Sequence, residues 1–225
     1  MINTVRSRFR YVFLFSWLVR RVLTPCLHFV QVPAGLSALT NLKFLDLSSN
    51  AFVNVDTDFS IMTRLQTLKI QNYLRMERVR QFPTTMVLSD TIANMQSITK
   101  LDFMHSVIQA LPEALGQLHN LTELVASHCG ISQLPASITQ LSQLQTLDLA
   151  KNLLQVLPAD LGRLQNLTSM DLYGNAINAL PRSIMDLPQL KWLYYDVATM
   201  ATLPPAFDLF ISSGSTVLNT WVRHF

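Results

Sequence analysis

The chain has 225 residues, 49% of them hydrophobic and only 14% charged, with six glycines and a net charge of +3. That apolar content excludes a disordered chain, and two cysteines, Cys26 and Cys129, do not make a disulfide framework and suit a reducing compartment. The charge is unevenly placed: Arg6, Arg8, Arg10, Arg20 and Arg21 all precede residue 22, which leaves 12 basic against 14 acidic residues in the body and no clustered basic stripe there for nucleic acid.

Residues 1–32 come first. Their arginines flank an apolar run from Tyr11 to Val19, interrupted once by Ser16. The run is shorter than the roughly 20 residues that span a bilayer. Arg20-Arg21 follow at once and no small-residue cleavage site appears, which argues against a secretory leader. The segment reads as a degenerate cap, with a targeting or membrane-surface segment (residues 6–21) as the alternative.

From residue 33 the chain repeats itself. Prolines stand at 112, 135, 158, 181 and 204, each 23 residues after the last. With the proline as position 0, apolar residues recur at positions 3, 6, 9, 12, 14, 19 and 22. In the repeat from Pro135 these are Ile138, Leu141, Leu144, Leu147, Leu149, Leu154 and Leu157. Repeats opening at Pro33, Asp56, Ser89, Pro112, Pro158 and Pro181 fit the same template, seven in all, and a degenerate eighth precedes them with Phe13, Val19, Val22, Phe29 and Val32 in phase. The 33-residue step from Asp56 to Ser89 carries an insertion of ten residues near 74–88, including Arg75, Arg78 and Arg80. After Leu203, residues 204–225 read as a closing cap, with Phe207, Leu209, Phe210 and Ile211 over the last repeat.

Positions 12 and 14 alternate as in a short strand with one buried face. Positions 3, 6 and 9 recur as on a tight helical turn. One such unit cannot cover its own leucines; stacked units can, and their strands then form a parallel sheet. Position 17 holds Asn50, Ser106, Cys129, Asn152 and Asn175. A buried amide there must find partners, and the backbone of the neighbouring bend offers them, so these residues are expected to form a ladder.

The pattern P-x-x-L-x-x-L-x-x-L-x-x-L-x-L-x-x-N-x-L-x-x-L resembles the leucine-rich repeat. Its 23-residue length and closing Leu-Pro are similar to the intracellular Ras-group and Scribble-type class, over Pro33 to Leu203. The resemblance implies an α/β solenoid, a curved right-handed superhelix. Short parallel strands would line the concave face, the usual binding surface, with short helical or 3-10 turns on the convex face. The cysteine-paired caps of extracellular relatives are missing, which favours a cytoplasmic reading. Two sequons, Asn120-Leu121-Thr122 and Asn166-Leu167-Thr168, fall at position 8, where the repeat wording itself produces them.

Residues at positions 11, 13 and 15 flank the buried strand residues and are expected to face outward. Position 13 carries Asp46, Lys69, Asp102, Val125, Asp148, Asp171 and Tyr194, an acidic stripe suited to a basic partner. Asp148 and Asp171, one strand apart, could share a proton or hold a cation, although the wording Leu-Asp-Leu is common in such repeats. Phe44 and Trp192 at position 11, and Tyr173 and Asp196 at position 15, complete the candidate partner-binding set. Its aromatics gather at Tyr173, Trp192 and Tyr194, either as interface anchors or as bulky groups shielding a terminal repeat. His105 and His128 share position 16 beside Cys129, a pair too small for a metal site.

No phosphate loop, nucleophile elbow, His-Glu-x-x-His or paired Cys-x-x-Cys is present. The expectation is a non-enzymatic, monomeric protein-binding module without cofactor or metal, acting as a scaffold or regulator in signalling. The alternatives are the recognition part of a larger kinase, ubiquitin ligase or effector, and a repeat protein held at a membrane by its N-terminal segment.

Overall fold

The computed structural model describes residues 39–48, 62–71, 86–108 and 110–196, and the backbone alone of 21–23 and 54–55. The ladder position Asn50, the arginines of the insertion and the closing segment 204–225 lie outside the described residues. Strands form where the alternation at positions 12 and 14 placed them, at positions 11–13 of each repeat. They are β1 (Arg21–Leu23), β2 (Phe44–Asp46), β4 (Thr67–Lys69), β6 (Lys100–Asp102), β7 (Glu123–Val125), β8 (Thr146–Asp148), β9 (Ser169–Asp171) and β10 (Trp192–Tyr194). All eight make one parallel sheet in the order β1-β2-β4-β6-β7-β8-β9-β10. The register is strict: Val22 pairs Leu45, Leu45 pairs Leu68, Leu101 pairs Leu124, and Leu147 pairs Met170. β1 therefore carries the 23-residue frame back into residues 1–32.

A second, two-stranded sheet joins β3 (Asn54–Val55) to β5 (Val87–Leu88) at positions 21 and 22. Val87 and Leu88 thus stand on the repeat frame itself. Ala110 and Gln133 form an isolated parallel bridge at the same position one repeat on.

On the opposite side, 3-10 turns run over Asp90–Asn94, Glu113–Gln117, Ala136–Gln140, Leu161–Arg163 and Arg182–Asp186. Pro112, Pro135 and Pro181 cap three of them with φ between −64° and −71°. That is the angle the pyrrolidine ring enforces, at a place where no amide proton is needed. Every 3-10 turn buries its position-3 residue, Ile92, Leu115, Ile138, Leu161 and Ile184, and positions 6, 9 and 12 complete a continuous aliphatic core. Each fully buried leucine contributes about 1.5–3 kcal/mol.

The turns approach closely in two places. A Cβ on Gly116 would lie 2.5 Å from the Ser137 carbonyl oxygen, and one on Gly162 would lie 2.5 Å from that of Ser183. Both obstacles are backbone, so no side-chain rotation relieves them.

Position 17 forms the expected ladder. The Asn152 amide donates to the carbonyls of Ala126 and Leu149, both at 2.8 Å, and its oxygen accepts from the amides of Cys129 and Ile131, both at 3.0 Å. Asn175 repeats this one turn on, donating to Leu149 at 2.9 Å and Leu172 at 2.8 Å and accepting from Leu154 at 3.1 Å. Cys129 donates to the Phe103 carbonyl at 3.1 Å, and Ser106 to that of Ile70. In all four cases the acceptor includes the position-14 carbonyl of the preceding repeat, so a hydroxyl or thiol supplies the donor half of the asparagine's work. At the last described rung, Asp196 reaches back from position 15 and accepts from the amides of Gly174 at 2.9 Å and Asn175 at 3.1 Å.

Two substitutions test this packing. Asn152→Ala orphans the buried amides of Cys129 and Ile131 and the Ala126 carbonyl, while the Leu149 carbonyl keeps its bond from Asn175; it should lower unfolding free energy by about 3 kcal/mol, read by urea titration followed by circular dichroism. Gly116→Ala should cost about 1–3 kcal/mol, whereas Gln140→Ala, at an exposed position of the following turn, should change the midpoint little.

Candidate protein-binding surface

The strand face presents positions 11, 13 and 15, but not uniformly. Asp102, Val125, Ser48 and Ser127 are buried, contrary to the expectation that these positions point into solvent throughout. The reason is the strand spacing of about 4.8 Å: longer neighbours fold over shorter ones. Asp102 is covered by Gln71, whose amide donates to it at 2.7 Å, and by Lys69, whose ammonium lies 3.8 Å away. Asp102 is therefore engaged within the sheet rather than displayed. Lys100 and Glu123, paired across β6 and β7, form a second ion pair.

The recurrent aspartates do local work. Asp46, Asp102, Asp148 and Asp171 each accept, through Oδ1, the amide two residues on, that of Ser48, Met104, Ala150 or Tyr173, at 2.9–3.2 Å. This bond pins the exit from each strand and gives the Leu-Asp-Leu wording a structural cause. Asp148 also accepts from the Ser127 hydroxyl at 3.1 Å. Asp148 and Asp171 do stand opposite each other in register, with Val125 beyond the first and Tyr194 beyond the second.

At the far end of the described sheet, β10 carries Trp192, which is 39% exposed, and the half-buried Tyr194. Alternation along the strand places both side chains on the same face. Tyr173 sits on the adjacent repeat with the Lys151 ammonium 4.4 Å from its ring centroid. Phe44 lies at the opposite end of the sheet, half-buried on β2. Of the sequence-derived set, the structure brings Asp148, Asp171, Tyr173, Trp192, Tyr194 and Asp196 onto three consecutive repeats and leaves Phe44 and Asp102 apart from them.

Position 16 holds a feature invisible in the residue names. His105, His128 and Lys151 have φ of 62°, 57° and 56°, and Gly174 has 74°. The left-handed bend that glycine adopts freely is imposed on three bulky residues by the strand pairing around them. It stacks the His105 and His128 rings, with centroids 4.5 Å apart and planes tilted by 31°. Cys129 turns inward to the ladder, and burial pushes its thiol up to about 12. Among the described residues no group of three or more His, Cys, Asp or Glu is placed to hold a metal ion, and no helix is long and apolar enough to cross a membrane.

The fold is the leucine-rich-repeat solenoid. The Leucine rich repeat family profile matches residues 136–195. Among solved structures, a leucine-rich-repeat protein of Leptospira interrogans is 23% identical with a TM-score of 0.68, the match covering 86% of this chain and 48% of that one. The leucine-rich repeat domain of the type III effector XopL is 19% identical with a TM-score of 0.73, covering 89% and 76%. The Arabidopsis receptor kinase HAESA, solved with the peptide hormone IDA and the co-receptor SERK1, is 23% identical with a TM-score of 0.61, covering 74% and 28%. The chain thus spans about half the length of the Leptospira protein and less of the receptor. No curated protein matches it in sequence.

Burial, and secondarily the charge of His128, lowers the His105 pKa below its ordinary 6.5. The folded state then binds a proton less readily than the unfolded chain, so stability present above about pH 6.5 is lost as pH falls toward the depressed value. His128→Gln removes one cause. Urea midpoints of wild type and variant should run parallel above that pH and diverge below it, with the wild type losing more.

Proposed function

We propose that the chain is a non-enzymatic protein-protein interaction module of the Ras-group and Scribble-type kind, a cytoplasmic scaffold or regulator in signalling that works as a monomer and grips a basic partner on its concave strand face. The observation that carries this reading is Trp192, a large aromatic left exposed beside Tyr194, next to strands whose outward residues are Thr146, Asp148, Ser169 and Asp171. Exposed tryptophan and tyrosine are enriched among residues that dominate binding energy. Support also comes from HAESA, a receptor of the same fold solved with a peptide hormone and a protein co-receptor. A second reading, the recognition part of a larger effector, draws on XopL, where a domain of this fold belongs to a type III effector.

The test compares proteins captured from lysate by wild type, by Trp192→Ala/Tyr194→Ala and by Arg182→Ala on the opposite side. Captured partners should fall at least tenfold with the double variant and stay unchanged with Arg182→Ala, while circular dichroism spectra coincide. Equal capture by all three forms contradicts the assignment.

A further inference from the structure

Resting on that concave-face reading, we infer that the partner docks along position 11 of β8, β9 and β10. Its docking element is an extended, uncharged protein segment that crosses the strands, meets the Thr146 and Ser169 hydroxyls with its main chain and sets an apolar side chain on Trp192. The register puts Thr146, Ser169 and Trp192 in one row, each opposite the next. Leu147, Met170 and Leu193, the next residue of each strand, are buried, so alternation turns the row away from the core. Thr146 and Ser169 are half-buried and Trp192 is exposed.

The row is set apart by which polar groups are already spent. The main chain of the strands is spent on pairing: the Ser169 amide donates to the Gln145 carbonyl and the Trp192 amide to that of Thr168, both at 3.0 Å. A segment arriving here therefore lies across the strands instead of adding to them. Neighbouring hydroxyls are spent as well. Ser127 donates to Asp148 at 3.1 Å, and Thr122 and Thr168 donate to position-10 carbonyls at 2.9 Å. Among the described residues, by contrast, the Thr146 and Ser169 hydroxyls have no hydrogen-bond partner. A hydroxyl both donates and accepts, so each can meet the carbonyl or the amide of a peptide bond. Once a partner covers them, leaving them unmet would cost more than the bonds contribute.

Charge fixes the chemistry of the segment. One strand further the row reaches Glu123 and then Lys100, which pair with each other and close the site. From Thr146 to Trp192 the row carries no charge, so a charged side chain laid on it would lose hydration without gaining an opposite charge. A carboxylate would also meet Asp148 on the same strand as Thr146. The basic character proposed for the partner belongs to residues outside this row. Trp192 supplies the large apolar contact. Strands about 4.8 Å apart put it about 10 Å from Thr146, the reach of roughly three extended residues.

The probe is a displayed library of random heptapeptides, selected on the full chain. Enriched peptides are titrated against wild type, Thr146→Val/Ser169→Ala, Trp192→Ala/Tyr194→Ala and Thr67→Val, with folding checked by circular dichroism. Thr67 stands in the same row beyond the ion pair, so its variant removes a hydroxyl outside the site. Selected peptides should carry an apolar residue with uncharged neighbours and ignore Thr67→Val. They should bind the Thr146/Ser169 variant about tenfold more weakly, the worth of two hydrogen bonds. That loss should persist in 1 M salt, because no ion pair is involved. N-methylating the peptide amides one at a time should weaken wild-type binding at one or two positions and cost less on the hydroxyl variant at those positions. Equal affinity for the hydroxyl variant, a charge selected beside the apolar residue, or failure to enrich any peptide overturns the inference. The concave reading survives these outcomes if the aromatic variant still loses partners captured from lysate. Peptides and captured partners indifferent to the aromatic variant overturn both.

Discussion

The described repeats leave polar backbone at their bends that they do not satisfy alone. The amides of Cys129 and Ile131 are met by Asn152, and that of Leu154 by Asn175, each from the following repeat. The carbonyls of Ile70, Phe103, Ala126 and Leu149 are met in the same way. Burying such groups unpaired would cost more than the bonds themselves contribute. The repeats are therefore obliged to stack in one register, and the leucine core, the parallel sheet and the shape of the strand face follow from that obligation.

Further ladders reinforce the stack. Thr99, Thr122 and Thr168 at position 10 donate their hydroxyls to the position-10 carbonyl of the preceding repeat, at 2.9–3.0 Å. Asn120 and Asn166 donate their amides to Gln96 and Ser142, at 2.8 and 2.7 Å. The asparagines of the two sequons thus have a structural reason to be there. Glu113 does similar work between turns, accepting from the amides of Ala136 and Ser137 at 3.1 Å. Hydrogen bonding to Ser137, and less so to Ala136, holds its carboxyl below the usual range.

The frame was legible in the sequence because it is imposed by period: leucines at seven fixed offsets and a polar residue at position 17 leave few arrangements that bury one and satisfy the other. What the offsets could not convey was traffic between repeats. Lys69 and Asp102 are separated by 33 residues across the insertion, yet they are adjacent on the sheet, and their pairing removes Asp102 from the surface. The left-handed bend at position 16 announces itself only at Gly174, since His105, His128 and Lys151 adopt it under constraint. Asp196 closes the ladder from two residues before the expected place, a substitution of geometry rather than of residue type. For the candidate surface, the aromatic and acidic residues were visible as names, but which of them share neighbouring strands, and which are engaged within the sheet as Asp102 is, required the register.

Residue-resolved hydrogen exchange tests the central claim most directly. Slow amides should recur every 23 residues, at positions 10, 11, 14 and 19, as in Gln145, Thr146, Leu149 and Leu154, because each donates to a neighbouring repeat. The amides of exposed Val156 and Ala179, which stand outside the pairings that position 21 makes in earlier repeats, should exchange faster. A protection pattern with no 23-residue period would contradict a stack held in register by inter-repeat bonds.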